Sequence, residues 1–316
     1  MSWRQNSAGN PARRRCSSAL STSPAILVWA ERHAVDPSQL SSGYHALIRK
    51  ITATTLLKIE SAELSRLRRA SDATAYQNYL LGQHHLRKMD LPDLRRARKA
   101  FRAALKEAPH FSSALGGLSR TEHLEWLITA RGDNDLIEQS AKHALEAIAA
   151  DGDDATGYHQ LGVAKQYLGA FDESLAAFET AERAAPSHAD LIIDYADSLI
   201  HASEPEAALD KIARAFEVNP LCPDTYWWTA AGATTHWSAT RMRWRISHVA
   251  DQSHVARFTA ACWGMLGDKK QATLYMRKAL AQHPDFEIEK WLSIVSIRQA
   301  WQRDLYREGL KRAGFR

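Results

Sequence analysis

The sequence predicts an all-α fold, a right-handed superhelix of helical hairpins with an N-terminal helix and C-terminal capping helices. Three observations predict it. A pattern of small, large, small and Pro residues recurs six times in one register between about 75 and 286. Over that region the apolar residues follow a helical period and nowhere alternate with a period of two. The chain of 316 residues also holds 52 Ala against only 15 Gly and 10 Pro. Ala loses no side-chain entropy in a helix, whereas Gly and Pro interrupt one.

Residues 1–36 contain no Asp or Glu before Glu31 and carry Arg13, Arg14 and Arg15 ahead of a Ser-rich stretch. This segment is expected to be a basic tail, either disordered or the remnant of a domain whose last strand lies near 25–30. Its opening also has the composition of a transit peptide. Over 37–74, Tyr44, Leu47, Ile48, Ile51, Leu56, Ile59, Leu64 and Leu67 keep a helical period with Arg and Lys between them, which predicts an amphipathic linking helix.

The repeats occupy 75–286. The clearest unit, 155–188, has Tyr158, Leu161, Gly162, Ser174, Phe178, Ala181 and Pro186. The next 34 residues place Ile192, Tyr195, Ala196, Ala208, Ile212, Ala215 and Pro220 at the same positions. The spacing recurs at Ala97, Phe101, Ala104 and Pro109, at Ser140, Ala144, Ala147 and Gly152, weakly at Ala239, Arg243 and Ile246, and at Ala272, Met276, Ala279 and Pro284. Small residues let the two helices of a hairpin approach. The large residue between them fills the gap to the next hairpin, and Pro stops the second helix. One hairpin cannot bury its own apolar face, so neighbours must stack. This spacing resembles the tetratricopeptide repeat over about two-thirds of the chain. Beyond it, 287–316 reads as capping helices, with Ile288, Leu292, Val295, Leu305 and Leu310 available to cover the last repeat.

Composition excludes several function classes. The longest uninterrupted apolar run, Ala25 to Ala30, is far short of the about 20 residues that cross a bilayer, so no membrane partner is expected. Three Cys without a Cys-x-x-Cys pair supply neither a disulfide framework nor a zinc site, and point to a reducing cytoplasm. Residues 1–74 carry 11 Lys/Arg against 5 Asp/Glu, 75–222 carry 15 against 23, and 223–316 carry 15 against 8. An acidic middle between two basic ends argues against a nucleic-acid partner. Arg241, Arg243, Trp244 and Arg245 could track phosphate, but they do not share one helix face, and a solvated face explains them as well.

No nucleotide-binding glycine loop, nucleophile elbow or zinc-binding His-Glu-x-x-His occurs, so no enzyme and no cofactor is expected. His84 and His85 are adjacent, and neighbours on a helix diverge by about 100° and do not converge on a metal. Asp151, Asp153 and Asp154 stand at a helix start, where Asp caps. Function is therefore sought in the concave face, which the repeat register assigns to inward positions of each first helix. These are Tyr76, Tyr79, Gln83 and Arg87, then Arg120 and His123, then His159, Gln166 and Tyr167, then Asp197, then Trp227. Aromatic residues with a few polar ones suit a peptide or partner helix laid in the groove. Inter-repeat packing is the alternative for several of them.

The order of segments carries a narrower resemblance. Ile26-Leu-Val-Trp-Ala-Glu-Arg-His33 precedes the amphipathic helix, the repeats follow, and the chain closes on Leu305-Tyr-Arg-Glu-Gly-Leu-Lys-Arg-Ala-Gly-Phe315. This is similar to the C-terminal regulatory half of bacterial class III adenylate/guanylate cyclases with tetratricopeptide tails, and to winged-helix transcriptional regulators with the same tail. The resemblance implies a regulatory or scaffolding module of bacterial signalling or transcriptional control. Upstream of Trp29 there is no room for either output domain, so no catalytic or DNA-reading residue carries over. Met1 is accordingly expected to fall inside a larger regulator.

Overall fold

A computed structural model of the chain describes residues 14–22, 26–35, 51, 74–129, 132, 134–219 and 256–316. Two antiparallel strands, β1 (Arg14–Thr22) and β2 (Ile26–Val35), form a hairpin. Twelve helices follow among the described residues. They are α1 (Ala75–Leu86), α2 (Leu91–Glu107), α3 (Ser112–Thr129), α4 (Asn134–Ala150), α5 (Ala155–Tyr167), α6 (Phe171–Ala184), α7 (Ala189–His201) and α8 (Pro205–Val218). After residue 255 come α9 (Ala256–Met265), α10 (Lys269–Gln282), α11 (Ile288–Ile294) and α12 (Ala300–Ala313).

The hairpin lies in the segment expected to be a disordered tail or the remnant of a domain, and β2 falls where the last strand of that remnant is expected. Strand β1 is too polar to announce itself, but pairing with the apolar β2 satisfies its backbone donors and acceptors. The register slips between Leu20 and Ser21, which pair with Trp29 and Leu27 and leave Val28 over. The linking helix expected over 37–74 and the weak fifth repeat lie outside the described residues.

Helix starts are built from local polar side chains. Thr74 and Gln77 form a reciprocal capping box on α1, and Asp90, Asp154 and Asp268 accept a backbone N–H at the starts of α2, α5 and α10. Each hairpin turns through a left-handed residue. Gly132, Gly169 and Gly267 have φ of 69°, 75° and 74°, and Met89 and Ser203 hold the same place in the first and fourth hairpins. Glycine adopts that conformation without a Cβ penalty.

The repeat positions form the core. Ala97, Phe101 and Ala104 of α2, Ser174, Phe178 and Ala181 of α6, and Ala208, Ile212 and Ala215 of α8 are almost wholly buried. Phe101 is gripped from both sides. A Cβ on Gly82 of α1 would lie 2.5 Å from its ring, and one on Gly117 of α3 would lie 2.6 Å away. Where Ser takes the small position it also bonds across the helix pair. Ser140 donates to the Ser119 carbonyl at 3.0 Å, and Ser174 to the Gly162 carbonyl at 2.7 Å.

At the C-terminus, α12 packs backbone to backbone on α9. A Cβ on Gly264 would stand 2.5 Å from the Gly309 carbonyl oxygen. Ile288, Leu292, Val295 and Leu310 are buried in this cluster, with Leu127 of α3 packed against it. The link from α11 to α12 therefore does not continue outward along the superhelix. It folds back onto α3, α5 and α7.

Candidate groove of the superhelix

The first helices α1, α3, α5 and α7 stand side by side, and their N-terminal halves enclose a cavity of about 380 Å³. Tyr79 and Gln83 enter it from α1, Arg120 from α3, His159 and Gln160 from α5, and His188 from the start of α7. Gly116 and Gly117 of α3 keep this wall low. A Cβ on Gly116 would meet the Thr156 methyl at 2.3 Å.

The polar groups of the cavity are held in different ways. His159 is buried, and its Nε2 lies 2.8 Å from Asp194 Oδ2. Burial pushes the Asp194 carboxyl upward, but the hydrogen bond and charge of His159 outweigh it and hold the group below the ordinary range. An ionised carboxylate only accepts, so His159 donates from Nε2. His188 accepts the Leu191 N–H on Nδ1 at 3.1 Å, which leaves Nε2 as its donor. Asp154 caps α5 through Thr156 at 2.9 Å and takes Ser113 of the preceding repeat at 3.3 Å. Burial raises its carboxyl, and these bonds bring it below the ordinary value.

Arg120 differs from all of these. Its guanidinium has no hydrogen bond or ion pair among the described residues, and its charge is felt only at a distance, by Asp194, His188 and His123. Gln160 Oε1 is likewise buried without a partner. The cavity thus holds a half-buried cation and a buried acceptor that the protein leaves unpaired.

Of the residues expected in the groove, Tyr79, Gln83, Arg120 and His159 meet in this cavity. Tyr76 stands beside them, 53% exposed, with its ring 6.3 Å from that of Tyr79. Arg87 does not join them. It ends α1 as an exposed C-terminal cap. His123, Gln166, Tyr167 and Asp197 are also not open groove residues. The His123 and Trp126 rings pack on Tyr167 at 6.2 and 4.8 Å, and Gln166 donates to Asp197 at 2.9 Å. These are contacts between adjacent repeats, and the returning C-terminal segment bonds beside them to the Tyr167 carbonyl and to His201. Trp227 lies outside the described residues. Sequence reading passed over Asp194, although with Asp190 and Asp197 it continues one helix face at i, i+4 and i+7. Among the described residues no group of His, Cys, Asp or Glu is placed to hold a metal, and no helix is long and apolar enough to cross a membrane.

The hairpin geometry and the stacked first helices define an all-α superhelix of the tetratricopeptide type. Solved structures share it. The APC/C hetero-tetramer Cut9-Hcn1 matches with a TM-score of 0.54 at 14% identity, over 87% of this chain and 48% of the other, so the chain spans about half the length of that relative. A Pseudomonas aeruginosa pilF structure matches at 13% identity over 69% and 95% with a TM-score of 0.46. A thermophilic tetratricopeptide protein of Thermus thermophilus matches at 18% identity over 75% and 99% with a TM-score of 0.39. Identities this low establish the fold alone. No protein-family profile and no curated protein matches the sequence.

Proposed function

We propose that this chain is a non-enzymatic, cytoplasmic scaffold of bacterial signalling or transcriptional control. It binds an extended segment of a protein partner in the open, N-terminal half of its concave face. The observation that carries this reading is the unpaired Arg120 in a cavity walled by four successive first helices, with Tyr79 and the exposed Tyr76 at its edge. A guanidinium offers five donors in a fixed fork, and tyrosines add contact area at low entropic cost. The test is affinity capture with the full chain, in which Arg120→Ala and Tyr79→Ala each lose partners that the unaltered chain retains. An identical partner set in all three would sink the assignment.

A second reading, the regulatory half of a tetratricopeptide-tailed cyclase or winged-helix regulator, is favoured by one observation. The stretch Trp29-Ala-Glu-Arg32 lies on a paired strand, β2. Mapping the 5′ end of the native transcript decides between them. An in-frame output domain upstream of Met1 supports the second reading, and a close stop codon supports the free-standing scaffold.

A further inference from the structure

The segment joining α11 to α12 crosses the hairpin turns of three repeats without helical structure. Val295 and Gln299 both have β-region dihedrals. Ile294 seats on Gly132 in the turn after α3. Ser296 Oγ donates to the Tyr167 carbonyl at 2.8 Å, at the end of α5. The Ser296 carbonyl faces His201 Nδ1 at 2.6 Å, so that nitrogen carries the proton. The Arg298 N–H donates to the His201 carbonyl at 3.0 Å, and its guanidinium pairs with Asp172 at 2.5 Å above the Phe171 ring. Gln302 donates to the Ile200 carbonyl at 2.7 Å and accepts from Ser203 Oγ at 2.6 Å.

These partners share one origin. The last carbonyls of a helix have no donor left within it. Stacked repeats therefore line up the Tyr167, Ile200 and His201 carbonyls along one edge, a ledge of helix-end acceptors at repeat spacing, of which Ile200 also takes the Ser203 N–H. An extended chain is the ligand that such a ledge suits, because backbone and short polar side chains reach it in step.

We propose that this ledge is a docking surface for an extended segment with a Ser-x-Arg core, and that residues 295–299, flanked by Ile294 and the first turn of α12, are its resident occupant, shutting the C-terminal half of the concave face. The proposal rests on the reading of the concave face as the binding surface and adds its regulation. The occupant is displaceable for stated reasons. Its polar contacts are mostly single hydrogen bonds, and its ion pair uses an Asp172 side chain that is 92% exposed and so screened by water, while Val295 and Ile297 stay anchored in the C-terminal cluster. It also leaves work undone. Packed on Tyr167, whose carbonyl the segment takes, His123 Nδ1 and Trp126 Nε1 have no partner, although their residues are only 6% and 2% exposed. A partner segment that also satisfies these atoms outcompetes the resident one. The tether gives the resident an effective concentration in the millimolar range, which sets the threshold a partner must exceed.

The test uses a fluorescent peptide copying Ile294–Arg303 and the full chain. The triple variant Ser296→Ala, Arg298→Ala, Gln302→Ala loosens the resident segment, and fluorescence anisotropy measures peptide binding. We expect at least tenfold tighter binding to the triple variant than to the unaltered chain, and loss of that gain when His201→Ala is added. Hydrogen exchange should speed up across 295–302 in the triple variant while Ala261 and Leu310 stay protected, which shows that the cap is still folded. Should the triple variant lose that protection, Gln302→Ala alone replaces it, with a gain of a few-fold. Equal binding to the loosened and unaltered chains, or a gain that survives His201→Ala, overturns the proposal. Neither result touches the Arg120 and Tyr79 dependence of partner capture, so the two readings fail separately.

Discussion

Phe101 and the two glycines that face it allow a prediction whose sign reverses with background. In the unaltered chain, Gly82→Ala sets two effects against each other. Alanine is favoured over glycine in a helix interior by about 1 kcal/mol. Its Cβ would lie 2.5 Å from Phe101 Cε1 and 2.7 Å from Cδ1, an overlap that something must relieve. The ring cannot simply retreat, because on its other side the Gly117 backbone stands so near that a Cβ there would lie 2.6 Å from the ring. Overpacking of this kind costs about 1–3 kcal/mol. On these two magnitudes Gly82→Ala destabilises by up to about 2 kcal/mol. Phe101→Ala alone costs about 3–5 kcal/mol through lost burial and a cavity. In that background the new methyl enters vacated space, so Gly82→Ala becomes stabilising by about 1 kcal/mol. Urea unfolding followed by helical circular dichroism gives the midpoints, and hydrogen exchange over α1–α3 localises the change, since repeat arrays need not unfold in one step. If Gly82→Ala has the same sign and size in both backgrounds, the two-sided grip on Phe101 is wrong.

Three further predictions concern charge. Arg120→Ala should change the unfolding midpoint little, within about 1 kcal/mol, because nothing is left unpaired, yet weaken partner binding at least tenfold by anisotropy once a partner is in hand. His123 is held neutral, its pKa pushed down to about 3 by burial and then by the charge of Arg120. The unfolded chain therefore takes up a proton that the folded one refuses, and stability is lost as pH falls from about 6.5 toward 3. His123→Phe should make that acid limb shallower in pH-dependent thermal unfolding. Asp93 at the start of α2 is pushed up by burial but brought far below the carboxylate range by hydrogen bonds from His85 at 2.6 Å and from Lys88 and Arg96 at 3.1 Å. Its contribution is present above the unfolded carboxylate value and is lost as pH falls below it. Asp93→Asn should lower the melting temperature at pH 7, and the difference from the unaltered chain should narrow progressively as pH falls below about 4.

The groove was half visible in the sequence. Tyr79, Gln83, Arg120 and His159 follow from the repeat register because the N-terminal halves of the first helices meet only their neighbours, and neighbours are what a repeat encodes. His123, Gln166, Tyr167 and Asp197 obey the same register, yet their side chains are spent on one another across adjacent repeats, and the Tyr167 carbonyl is taken by Ser296 from far along the chain. Asp194 has its signal in the sequence too, in its place between Asp190 and Asp197 on one helix face.

Local chemistry decides the class of fold: capping residues, small positions where helices touch, and Pro after the second helix act within one repeat or between adjacent ones. The strand pairing of β1 and the return of residues 294–303 across α3, α5 and α7 belong to the tertiary structure. Their energies come from partners that the local pattern does not specify, a polar strand matched to an apolar one and a short link matched to helix-end carbonyls. A hydrogen bond between residues 129 positions apart, such as Ser296 to Tyr167, leaves no trace in either neighbourhood of the chain.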